Sequence, residues 1–129
     1  MNAHWMVLVA CAVSALSGMP AAAQYITGKD WRDFSPEERA TYATGLFDAM
    51  LLTGGAVDDE AIAEGLSHCA IKLRVSSFAL AEAIDDFYAA DPTNWEQPPL
   101  VAFHQQVTHG ICLEHVNEAR RERKLSDWK

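Results

Sequence analysis

Apolar residues recur at intervals of three and four along much of the chain beyond residue 35, which is the spacing of one helix face. The clearest stripe follows Ser35-Pro36-Glu37-Glu38, where Ser is a favoured N-cap, Pro a favoured first residue and Glu completes a capping box. Thr53-Gly54-Gly55 ends this helix, because Gly takes the left-handed backbone of a C-terminal cap. The stripe consists of Ala40, Ala43, Leu46, Phe47, Met50 and Leu51. Gly45 lies mid-helix at a cost of about 1 kcal/mol relative to Ala, and a close crossing by another helix is one explanation.

Two weaker patterns flank this helix. Residues 24–34 lack periodicity and are predicted to be a lead-in whose aromatic side chains dock on the body. Residues 56–68 are acidic and are predicted to hold one short, exposed helix capped by Asp58 or Asp59.

The second half of the chain predicts two more helices. Ser76 or Ser77 caps the first, which ends at Asp91-Pro92 because a residue before Pro is pushed out of the helical region. Its stripe is Phe78, Ala81, Ile84, Phe87 and Tyr88. Pro99 starts the last helix, with a buried stripe of Leu100, Phe103, Val107 and Ile111 and a solvated helical tail beyond Cys112. No segment shows a clean period of two, so we expect an all-α bundle of about four helices.

The amino terminus has the pattern of a signal peptide. An apolar run over residues 5–16 precedes Ala21-Ala22-Ala23, a small-residue cleavage pattern. The run has about a dozen residues, whereas a membrane span needs roughly 20, so no membrane insertion is expected. We predict cleavage after Ala23 and a periplasmic location. The alternative is a lipoprotein-type cleavage with lipid on Cys11.

Charge divides the rest of the chain into a body, residues 24–119, and a basic tail, residues 120–129. The body holds five Lys or Arg against sixteen Asp or Glu, a balance of −11, while the tail has a balance of +3. Such a body repels nucleic acid and anionic lipid, so a protein partner with a basic surface is expected. The predicted contact is the acidic segment, which contains Asp58, Asp59, Glu60 and Glu64. The alternative is that this segment is a solvated connector.

Two cysteines, Cys69 and Cys112, remain after processing. An even count in a small exported domain predicts a disulfide. The closed loop of 43 residues would stabilise the fold by roughly 4 kcal/mol. The alternative is a zinc-type site with His109, Cys112 and His115 on one helix and His68 nearby, although no standard finger spacing is present.

No catalytic motif is visible. The chain has no motif around a Ser or Cys nucleophile and no glycine-rich phosphate loop. Asp58-Asp59 and Asp85-Asp86 are adjacent pairs, and neighbouring residues on a helix point about 100° apart. We therefore expect neither enzyme activity nor a cofactor.

A combination of motifs resembles the Rap/Tai family of periplasmic immunity proteins, which protect Gram-negative bacteria from amidase toxins delivered by type VI secretion. The motifs are Trp31, the helix start at Ser35, Tyr42-Ala43-Thr44-Gly45 with Asp48, Cys69, the helix from Ser76 to Asp91-Pro92, and Cys112. Together they span about residues 28–112. The chain departs from the family pattern at Ala70-Ile71 and at Ile111, near which the family places prolines.

The resemblance implies a small helical fold with one disulfide, often a homodimer. Such a protein binds a peptidoglycan-cleaving amidase and blocks its groove without doing chemistry. The matching residues Trp31, Tyr42, Gly45, Asp48 and Pro92 are expected to be structural. Two alternatives are a periplasmic acid-stress chaperone, to which the five histidines of the chain would give a pH response, and a binding module of the cell envelope.

Overall fold

A computed structural model describes residues 25–129. The described residues are helical without strands, which confirms the all-α prediction. The α-helices are α1 (Gly28–Asp33), α2 (Pro36–Leu52), α3 (Val57–Leu73), α4 (Ser77–Ala90), α5 (Pro99–Phe103) and α6 (Leu113–Glu122), with a 3₁₀ turn at Pro92–Glu96 and a π-helical segment at His104–Ile111. The predicted signal peptide, its cleavage site and Cys11 lie outside the described residues.

Helix α2 starts where the sequence predicts. The Ser35 Oγ accepts a hydrogen bond from the Glu38 amide at 3.3 Å, and the Ser35 amide donates to the Glu38 carboxylate at 2.8 Å. This capping box lowers the pKa of Glu38. The lead-in contains a further short helix, α1, which the sequence pattern did not predict.

Helix α3 differs most from its prediction. It has 17 residues instead of forming one short helix within residues 56–68, its N-cap is Ala56 instead of Asp58 or Asp59, and it ends at Arg74 with left-handed backbone (φ 51°). It is not exposed, since one face is buried. The buried residues are Ala61, Ile62, Gly65, Leu66 and Cys69. Small residues at this contact contribute little to the apolar periodicity that predicts a helix. They also let a neighbouring helix approach closely.

Helix α4 is capped by Ser76, whose Oγ accepts from the Ala79 amide at 3.1 Å. Four of the five predicted stripe residues are buried, but Phe78 is 56% exposed, so its predicted burial is wrong. The helix gives way at Asp91, as predicted, and Pro92 begins the 3₁₀ turn.

The predicted last helix begins at Pro99 but is divided into α5, the π-helical segment and α6. Phe103 and Val107 are buried as predicted, whereas Leu100 and Ile111 are 48% and 45% exposed. The wider π turn explains why Ile111 is exposed. The amide of Cys112 donates to the Val107 carbonyl, five residues back, at 2.8 Å. Cys112 thereby takes the buried position that an α-helix would give Ile111. Leu100 faces outward because Pro99 and Ala102 form the buried side of α5.

The solvated tail predicted beyond Cys112 is also wrong. Val116 and Ala119 of α6 are buried, and α6 packs mainly on α3. The crossing is at Gly65, where a Cβ would lie 2.7 Å from the Val116 nitrogen. A Cβ at Gly45 would meet nothing within 4 Å, so the close crossing suggested there does not exist. The proposed boundary between residues 119 and 120 falls inside α6.

Candidate functional site

The predicted disulfide is present. Cys69 of α3 and Cys112, between the π segment and α6, are bonded with Cα atoms 5.4 Å apart, and both side chains are fully buried. The bond takes both sulfur atoms that the alternative zinc site could have used, so that alternative is wrong. Within residues 25–129, no three His, Cys, Asp or Glu side chains are grouped to hold a metal ion.

Trp31 anchors α1 to the bundle. Its side chain is fully buried, and its indole N–H donates to Asp85 Oδ1 at 2.7 Å. Arg39 of α2 pairs with the same carboxylate at 3.1 Å and donates from Nε to the Trp31 carbonyl at 3.2 Å. A buried indole needs such an acceptor. The sequence does not predict this contact, because Asp85 is one of two adjacent acids and its partner lies 54 positions away.

The other residues of the family pattern divide into two groups. Tyr42 is half-buried and packs edge-on against Trp31, with ring centroids 6.0 Å apart, and Pro92 starts the 3₁₀ turn. Gly45 and Asp48, by contrast, are exposed on α2. The structure gives neither of them a packing partner that would explain a structural role.

The predicted acidic segment is the first part of α3 and contacts the basic tail. Arg120 is only 5% exposed and pairs with Asp58 at 2.7 Å. Arg123 pairs with Glu64 at 2.6 Å. Asp59 and Glu60 make no ion pair with any described residue. The segment is therefore the start of a packed helix tied to the carboxyl-terminal residues, and its role as a partner contact stays a prediction.

A histidine and tryptophan cluster lies on the π-helical segment. The rings of His104 and His109 have centroids 4.7 Å apart, and Trp128 stacks on His109 at 4.2 Å. The Arg120 guanidinium is 4.6 Å from the Trp128 ring centroid. Asn117 holds the Trp128 backbone, accepting from its amide at 2.8 Å and donating to its carbonyl at 3.1 Å.

Burial lowers the pKa of His104, and the neighbouring His109 lowers it further. Residues five apart do not share a face of an α-helix, but they do in the wider π turn. Sequence reasoning therefore missed the cluster. An apolar cavity of about 330 Å³ lies beside it, lined by Met50, Leu100, Val101, His104 and Gln105.

Comparisons of the chain with protein-family profiles, with curated proteins and with solved structures find no match. Among residues 25–129, no helix has both the length and the apolar character that crossing a bilayer would need.

Proposed function

We propose that this protein is a periplasmic immunity protein that binds a peptidoglycan amidase and occludes its active site without doing chemistry. The observation that carries the proposal is an acidic, disulfide-bonded body: a buried disulfide ties α3 to the start of α6, and residues 24–129 carry a balance of −8. A preordered surface binds without a large loss of conformational freedom. Complementary charge accelerates encounter with a basic partner.

Asp59 and Glu60 are the proposed contact residues within the acidic segment. They lie in the first turn of α3, while Asp58 and Glu64 use their carboxylates on Arg120 and Arg123. Removing Asp58 would take the carboxylate partner from the buried Arg120 guanidinium and so disturb the packing of α6 on α3 as well as any contact. A test of the contact therefore keeps Asp58 intact.

The experiment titrates mature protein, residues 24–129, into each secreted peptidoglycan amidase of the producing strain. We expect stoichiometric loss of hydrolysis for one enzyme, and no inhibition of any of them would contradict the proposal. The variant Asp59→Asn with Glu60→Gln should weaken inhibition. The matched control, Glu114→Gln with Glu122→Gln on exposed positions of α6, removes the same charge and should inhibit like the wild type.

A second candidate function, an acid-activated chaperone, is favoured by the His104–His109 pair. Burial lowers the pKa of His104, so its protonation in acid would place an uncompensated charge against His109 and Trp128 and loosen the carboxyl-terminal residues. This candidate predicts suppressed aggregation of reduced insulin below about pH 5, where histidine is charged, and none at neutral pH. Inhibition of an amidase at neutral pH would distinguish the first candidate.

A further inference from the structure

A groove runs across the exposed side of α2. Its central depression, of about 540 Å³, lies between α2 and the first turn of α4 and is lined by Gly45, Asp48 and Phe78, among others. It shares Glu37 and Thr41 with a second depression beside Tyr42. It shares Thr44 and Ser77 with a third, more apolar one of about 310 Å³. The three adjoining depressions are called the α2 groove below.

Gly45 has no structural reason to be glycine. Its φ is ordinary, a Cβ there would meet nothing within 4 Å, and glycine inside a helix costs about 1 kcal/mol relative to Ala. What the missing side chain does provide is an open floor in the α2 groove. A partner's backbone can approach the helix closely at this point, as it can at glycines that contact ligands.

Phe78 forms an apolar wall of the groove. Its ring is 56% exposed, whereas the other residues of its helical stripe are buried. Residues on both sides of it, Ser76 and Ala79, form the cap of α4, so the ring is held on an ordered first turn. An exposed phenylalanine beside an open groove is the kind of aromatic residue that dominates binding at protein interfaces.

The negative charge of the groove indicates which kind of partner segment it would bind. Glu37, Glu38 and Asp48 line the three depressions, and no Lys, Arg or His does so. The capping box keeps Glu38 ionised by lowering its pKa. An apolar floor with a carboxylate rim fits an apolar side chain flanked by cations.

We infer that the α2 groove docks a loop of the partner protein in which an apolar side chain lies between Lys or Arg residues. The inference rests on the proposed function, because the amidase is the source of that loop. It adds a second contact surface, separate from Asp59 and Glu60 on α3. The apolar side chain would lie over Gly45 against Phe78, and the cations would meet Glu37 and Asp48.

Gly45→Leu tests the groove, since a Cβ at this position meets nothing within 4 Å and the larger side chain would occupy the floor. We expect it to weaken binding of the inhibited amidase by about tenfold or more, as for loss of a central interface contact. Asp48→Asn should weaken binding and reduce its dependence on salt, because an exposed carboxylate acts through screened charge. Glu114→Gln on α6 is the matched control and should bind like the wild type. Circular dichroism checks that each variant remains folded.

A peptide probe separates failure of the groove from failure of the proposed function. The probe is a disulfide-cyclised peptide that presents Leu between two Arg residues. It should shift the amide NMR signals of Thr41, Thr44 and Ser77 in the wild type but not in Gly45→Leu. If an amidase is inhibited equally by wild type and Gly45→Leu, the groove inference is wrong and the proposed function stands. If no amidase binds, the proposed function fails; peptide shifts would then uphold the groove, and their absence would overturn it.

Discussion

Two glycines in helix interiors have opposite environments, although their local sequences do not distinguish them. Gly65 lies under Val116 at the crossing of α3 and α6, and any side chain there would displace backbone atoms. Gly45 faces open space. The sequence of a single helix suggests a close crossing at Gly45, because it contains no information about which helix packs on it. The contact that decides the matter comes from α6, which is about fifty residues further along the chain.

Alanine substitutions at these two glycines should have opposite effects on the free energy of unfolding. Gly45→Ala should raise the free energy of unfolding by up to about 1 kcal/mol, since alanine favours the helix and meets no neighbour. Gly65→Ala should lower it by roughly 1–3 kcal/mol through overpacking. Urea unfolding of both proteins measures the difference. Equal stabilities would contradict the packing described at Gly65.

At the scale of elements, the chain from Pro99 to Glu122 determines how the bundle closes. The π-helical segment shifts the buried face so that Cys112 points toward Cys69 and α6 lies along α3. The sequence predicted the start at Pro99, the burial of Phe103 and Val107, and the disulfide. It could not predict the π turn, because a period of 3.6 residues was assumed and one additional residue per turn changes which side chains face inward.

Removing the disulfide should destabilise the fold strongly. The variant Cys69→Ala with Cys112→Ala should lose roughly 4 kcal/mol, because the unfolded chain regains the freedom of a 43-residue loop. For a domain of this size, that corresponds to a fall in Tm of more than about 10 °C. Scanning calorimetry with and without reductant checks this result. A variant that melts with the wild type would show that the bond contributes no stability.

The histidine cluster should make stability sensitive to acid. The pKa of His104 is lowered in the folded state, so the unfolded chain binds its proton more readily. The contribution of neutral His104 to the free energy of unfolding is therefore complete above the ordinary histidine pKa of about 6.5. It is lost as the pH falls below that value. The Tm of His104→Gln should fall less than that of the wild type between about pH 7.5 and pH 5.5. His68→Gln, at an exposed position, is the control and should behave like the wild type.

For the whole molecule, charge is arranged differently from its distribution along the chain. The sequence shows an acidic body followed by a basic tail, but in the fold Arg120 and Arg123, at the end of α6, pair with Asp58 and Glu64 of α3 and neutralise them. The excess of acid is therefore concentrated elsewhere, including the rim of the α2 groove. Overall composition predicted the sign of the charge correctly. Only the fold determines which carboxylates remain available to a partner.

We predict that the functional form of the molecule is exported and lacks residues 1–23. The protein recovered from the periplasm should begin at Gln24, since the apolar run and the small residues at 21–23 form a signal-peptide pattern. Intact mass spectrometry decides between this form and its alternatives. A mass that retains residues 1–23, or one that carries lipid on Cys11, would contradict the prediction.

The contact between α3 and α6 also determines when the molecule can finish folding. A chain emerges from the ribosome or from a translocation channel with its amino terminus first, at about 5–20 residues per second during synthesis. The surface of α3 that contains Gly65 and Cys69 therefore stays uncovered until Cys112 and Val116 have appeared. Formation of the disulfide between Cys69 and Cys112 is consequently one of the last events in the maturation of each chain. A product interrupted before residue 112 would carry a reactive thiol and an uncovered apolar helix, which quality-control proteases can recognise.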